Sequence, residues 1–143
     1  MPRVVCGSRP EGLAGRANPL DRAFRRAIFL GMAADRVEHL QVTTSTATEE
    51  EARQIARGAV ERRLAACAQV VGPITSTYWW QGAIESAGEW LCLLKTTASR
   101  FEALAAHIRA EHSYDTPEIT ATPITHGSPD YLAWITAETD DHR

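Results

Sequence analysis

The chain is expected to fold as an α+β sandwich in the order β-α-β-β-α-β, with one added helix at its C-terminal end. Three observations carry this. The stretch Leu64 to Lys95 is rich in β-branched and aromatic residues and is punctuated at Gly72-Pro73 and Gln81-Gly82. On either side of it, apolar residues recur at helical spacing behind Thr/Ser-x-x-Glu capping signals. Two more β-leaning runs flank those helices. Two helices on one face of a four-strand antiparallel sheet make a ferredoxin-like sandwich.

Taken in order, Val37 to Ser45 holds Leu40, Val42, Thr43 and Thr44 and reads as the first strand. Thr48 with Glu51 forms a capping box, and Ala52, Ile55, Ala56, Ala59, Val60 and Leu64 then recur on one helical face. Val70-Val71 precedes the breaker Gly72-Pro73, Ile74 to Trp80 is a strand, and Gln81-Gly82 turns the chain. The run Trp90 to Leu94 is continuously apolar, as in a central strand. Ser99 with Glu102 reads as a second capping box, ahead of a stripe of Phe101, Leu104, Ala105 and Ile108. Glu118 to Thr125 is the last strand, and Pro123 makes it an edge or bulged strand. Ser128 caps a final helix with Pro129 at its first position and an apolar side of Tyr131, Trp134 and Ile135.

The 143 residues suffice for one domain with at most a tail. Residues 1–36 are rich in arginine, glycine and proline and read as a disordered or extraneous tail; a secretory or transit segment is the other reading. Residues 37–139 form the domain. A net charge of −3 and a pI near 5.9 argue against nucleic acid and acidic membrane as partners. No apolar run approaches the roughly 20 residues of a membrane span. Three cysteines without CxxC or CxxxC spacing suit reduced thiols in the cytoplasm.

Few residues suggest chemistry on their own. Cys67 is either a nucleophile or, more plainly, a small buried thiol, and Cys92 belongs to the core. His107 is expected at the surface or boundary of the second helix. His112 ends that helix inside His112-Ser113-Tyr114-Asp115-Thr116-Pro117-Glu118, which puts an imidazole, a phenol and two carboxylates within seven residues. Such a loop can bind a metal or small polar ligand, or be a hydrogen-bonded turn; one histidine is short of the three or four ligands of a transition-metal site. Glu89 and Lys95 bracket the apolar strand, where charge commonly serves solvation, and Lys95 can hold an anion or pair with a carboxylate such as Glu118. Trp79 and Trp80 point to opposite faces of their strand, so one needs a cover from outside the chain's own core.

Together Leu64-Ala65-Ala66-Cys67, Ser76-x-Tyr78-x-Trp80-x-Gly82, Glu89, Lys95-Thr96, His112-x-Tyr114-x-x-Pro117-Glu118 and Tyr131-x-x-Trp134 closely resemble the CutA family of divalent-cation tolerance proteins, from Leu40 to Ile135. The resemblance implies a ferredoxin-like protomer similar to PII signalling proteins, assembled as a tight homotrimer. It also implies a role in tolerance of copper and other divalent cations, with copper binding in some members and no established reaction, so no catalytic residue is assigned. Its polar residues are expected in a cleft between subunits: Cys67, Trp80, Lys95, Tyr114 and Glu118 for ligand, and His112 for a divalent metal ion such as copper. Three positions depart from the pattern. Thr44 stands where copper-binding members can carry cysteine, Glu111-His112 where they can carry paired histidines, and Gln81 where glutamate is usual. The competing expectation is a PII-like signalling or interaction module that binds a small anion in the same cleft.

Overall fold

A computed structural model describes residues 36–141 of the chain. The reading of 1–36 as a tail falls, but for Arg36, outside the described residues. The elements are β1 (His39–Thr46), α1 (Glu49–Glu61), β2 (Cys67–Trp80), β3 (Ala83–Thr97), a 3-10 turn (Ala98–Arg100), α2 (Phe101–Glu111), β4 (Thr120–Pro123) and α3 (Pro129–Glu138). The sheet runs β2-β3-β1-β4, antiparallel throughout. This is the expected ferredoxin-like sandwich with its extra helix.

Register sorts the side chains. Val42, Thr44 and Thr46 on β1 lie beside Leu94, Cys92 and Trp90 on β3, and Ala68 and Val70 complete the row. α1 and α2 cover this face with Ile55, Ala56, Ala59, Leu104 and Ile108, forming the core. The central β3 alternates accordingly: Cys92, Leu94 and Thr96 are buried, while Leu91, Leu93 and Lys95 face the other side and are half-buried. Burial pushes the Cys92 thiol up to about 12. Thr44 Oγ1, wholly buried among these apolar groups, finds no hydrogen-bond partner among the described residues.

Gly72-Pro73 does not end a strand. β2 runs through it with a register shift between Val71 and Ile74. β2 is an edge strand and the shift leaves the proline unpaired, the two settings in which a sheet tolerates proline. A side chain at Gly72 would collide with Trp90, whose ring carbons lie 2.5 Å from where its Cβ would sit. The β2–β3 turn is a two-residue loop with Gln81 at φ 49 and Gly82 at φ 81, the left-handed pair that matches strand twist.

Helix ends differ from the expected caps. Thr48 does accept from Glu51 N–H at 3.2 Å, but the Glu51 carboxylate turns away to the Ser113 N–H and hydroxyl, at 2.6 and 3.0 Å. The Ser99–Glu102 box does not form: Ser99 lies within the 3-10 turn, bonded to Thr97 Oγ1, and Arg100 is the cap residue of α2. α1 stops without glycine. Arg63 takes φ 57, and Leu64 N–H and Arg63 N–H reach back to the carbonyls of Ala59 and Val60. This is a Schellman ending with arginine in the left-handed position. Arg63 Nη1 then clamps Glu138, through its carboxylate at 2.9 Å and its carbonyl at 3.3 Å, tying the corner to α3.

α3 lies over one end of the second sheet face, where Thr136 and Thr139 meet His39 and Thr97. Only Ile135 of its expected apolar side is buried; Tyr131 and Trp134 stack on each other in the open, ring centres 5.5 Å apart. β1 pairs with β3 only from Trp90 onward, so Ile74–Trp80 and Ala83–Glu89 project past the sheet as a two-stranded ribbon.

Candidate functional site

The expected ligand residues fall in three places. The first surrounds the end of α2. His112 is drawn fully inside: Tyr114 N–H donates to its Nδ1 at 3.0 Å, so the ring proton sits on Nε2 and is given to the Ser45 carbonyl at 2.8 Å. Glu51 Oε1 lies 3.5 Å from Nδ1. The loop then carries Tyr114 to Glu89, whose Oε1 accepts from the phenol at 2.9 Å and from Ser45 Oγ at 3.4 Å. Burial, with the Glu89 hydrogen bond next, pushes the Tyr114 phenol up to about 12.

Glu89 is therefore not a solvating end charge. It is 7% exposed and anchors the loop. Sequence reasoning missed it as a site residue, and missed Glu51 and Ser45 with it. One signal was present: Glu89 breaks an otherwise apolar strand entry, and a buried carboxylate requires donors. His107 is also corrected. It is 5% exposed, seated against Gly58 between α1 and α2, with Nε2 bonded to the Ile55 carbonyl and Nδ1 to Arg62 Nη1, each at 3.2 Å.

The second group is at the far end of β3. Cys67 and Lys95 are direct partners across β2 and β3. The Lys95 ammonium donates to Gln69 Oε1 at 2.6 Å, a neutral amide and not a carboxylate such as Glu118. The Tyr131 phenol is raised from its ordinary value by burial, then by the adjacent Cys67 thiol and their hydrogen bond. Glu118, meanwhile, accepts from Thr120 Oγ1 at 3.2 Å. The third place is the ribbon, where Trp80 is exposed and its neighbours Trp79 and Ile84 are 72% and 63% exposed. Within one copy Glu89 and Lys95 are six strand residues apart, roughly 20 Å at the usual rise, so the expected cleft residues do not converge in one chain.

Comparison with known proteins decides the family. Residues 40–138 match the model of the CutA1 divalent ion tolerance protein family. The chain belongs to the CutA1 family. It is 44% identical over 98 residues to the divalent-cation tolerance protein CutA of Thermus thermophilus, covering 68% of this chain and 95% of that one. It is 37% identical over 114 residues to the chloroplastic CutA of Arabidopsis thaliana, covering 80% of this chain and 63% of the relative. Several eukaryotic relatives are longer: the chain spans 56% to 63% of the Arabidopsis, Xenopus and rice proteins. The solved Thermus CutA1 structure superposes with a TM-score of 0.70 at 42% identity, covering 71% of this chain and 99% of that one.

In this CutA-family chain Thr44 is sealed in the core and His112 has both ring nitrogens engaged. For His112 to bind a metal through Nδ1, Tyr114 N–H must release it, and the nearby Glu51 carboxylate is then a natural second donor. Imidazole and carboxylate together suit a borderline divalent cation.

Proposed function

We propose that the chain acts in divalent-cation tolerance as a homotrimer that binds metal ions such as copper between its copies, in the cytoplasm and without a catalytic role. The observation that carries this reading is the apolar surface left over after folding. Val71, Trp79 and Ile84 stand out on β2 and the ribbon, while Leu91 and Leu93 are only half covered on the sheet face away from α1 and α2. A large aromatic buries about 150–250 Å², at roughly 25 cal/mol per Å², so a second and third copy closing over this surface gain several kcal/mol per chain by that estimate. One copy supplies the Glu51–His112 pair; a transition metal takes three or four ligands, and a neighbouring copy provides the rest.

Light scattering after size exclusion tests the assembly: a mass three times the 15.7 kDa chain is expected, with Trp79→Ser/Ile84→Ser shifting it to monomer. A wild-type monomer refutes it. Calorimetry with Cu(II) tests the metal. Modest affinity that weakens in His112→Ala supports the site, and identical isotherms remove His112 from it.

Lys95 favours a second reading. Its ammonium rests on a neutral amide beside Cys67 and Tyr131, a setting that suits a small anionic ligand in a PII-like module. Saturable nucleotide binding lost in Lys95→Gln, with no metal response, would favour that reading over the first.

A further inference from the structure

A second cleft lies apart from all these residues, where the 3-10 turn enters α2 and the chain leaves α3. It measures about 260 Å³ and is lined chiefly by Thr97, Ser99, Arg100, Thr139, Asp140 and Asp141. Arg100 is packed in place, its side chain only 14% exposed, whereas Asp141 is 63% exposed just past the end of α3. The two form an ion pair through Nη1 and Oδ1. The buried Nε of the same guanidinium meets no acceptor among the described residues.

That pairing is incomplete in a specific way. A guanidinium offers its donors as a planar fork that fits two oxygens of one oxyanion, and beside the Asp141 ion pair its Nε stays unmet among the described residues. A buried charged donor left unmet is a defect that folded chains ordinarily avoid. The same cleft is lined by the hydroxyls of Thr97 and Ser99, whose Oγ1 and Oγ lie 3.1 Å apart, with Thr139 Oγ1 3.4 Å from the former. No side-chain oxygen caps the start of the 11-residue α2, so the positive end of its dipole also faces this region.

We propose that this cleft binds a small tetrahedral oxyanion such as inorganic phosphate or sulfate, with Asp141 as its built-in competitor. The ion takes the fork of Arg100, including Nε, and the hydroxyls of Thr97 and Ser99, while Asp141 swings out without disturbing the core. The cleft has room for a free ion and lies below the 300–1,000 Å³ usual for drug-sized ligands. Asp140 remains on the wall. None of its lining residues belongs to the Lys95 group or to the His112 loop.

The test is a phosphate titration of the full chain at constant ionic strength, with chloride as the balancing anion, followed by the backbone amide NMR signals of residues 97–101. Saturable shifts are expected. Asp141→Asn should tighten binding about fivefold, the worth of one partly exposed ion pair. Arg100→Lys keeps the charge but loses the fork and should weaken binding at least several-fold, and Arg100→Gln should abolish it. Linear shifts without saturation, equal affinity in wild type and Asp141→Asn, or AMP binding more tightly than phosphate would each overturn the proposal.

Discussion

Gly58→Ala probes the contact between α1 and α2 because two effects of known sign oppose each other there. Inside an ordinary helix, alanine is better than glycine by roughly 0.5–1 kcal/mol. Here the added methyl would sit 2.7 Å from His107 Cε1 and 3.1 Å from its Nε2. The ring is not a loose end: the Ile55 carbonyl and Arg62 Nη1 hold its two nitrogens. Moving it weakens two hydrogen bonds of about 0.5–1.5 kcal/mol each, and overpacking typically costs about 1–3 kcal/mol. The clash wins, and Gly58→Ala should destabilise by about 1–2 kcal/mol in urea unfolding followed by circular dichroism. Chain concentration must be fixed, since association shifts apparent stability. In a His107→Ala background the same substitution should become neutral or stabilising. A Gly58→Ala protein as stable as wild type would refute the reasoning.

Three other outcomes are expected. Thr44→Val removes an orphaned buried hydroxyl at constant shape and should stabilise by about 1 kcal/mol, read from the shift in urea midpoint. Arg63→Ala keeps the left-handed strain and loses the Glu138 clamp, so it should cost about 1–2 kcal/mol, and Arg63→Gly clearly less, because glycine adopts that conformation freely. For Tyr114, the folded phenol titrates at about 12 against an ordinary 10. The folded state therefore holds its proton where the unfolded state has lost it, so this contribution to stability is complete below pH 10 and is lost as pH rises from 10 to 12. Ultraviolet titration should show the late-ionising component reduced by one tyrosine in Tyr114→Phe, with the raised Tyr131 phenol retained.

The fold was legible because it rests on period and punctuation. Ile55, Ala56 and Ala59 recur at helical spacing, Trp90 to Leu94 stays apolar as a central strand must, and Gln81-Gly82 supplies the left-handed turn. The capping boxes were half legible. Thr48 behaves locally as its type dictates, whereas Glu51 answers to Ser113, 62 residues away, a choice that spacing cannot reveal. The same limit hid Glu89. Its burial depends on a phenol delivered by a loop 25 residues later, and in one dimension it looks like any charge at a strand end. His107 was misplaced because the room for its ring comes from a missing side chain, Gly58, on another helix.

The projecting ribbon separates two kinds of selection within one hairpin. Its ladder and its Gln81-Gly82 turn serve the protomer, since they fix how the strands meet. Among the described residues, Trp79 and Ile84 support nothing beneath them, with neither β1 nor a helix under the tip. Exchanging that pair should change what the molecule meets while leaving its own folding intact. Divergence at the tip can therefore proceed without being constrained by the core, and an engineer could re-address the hairpin there.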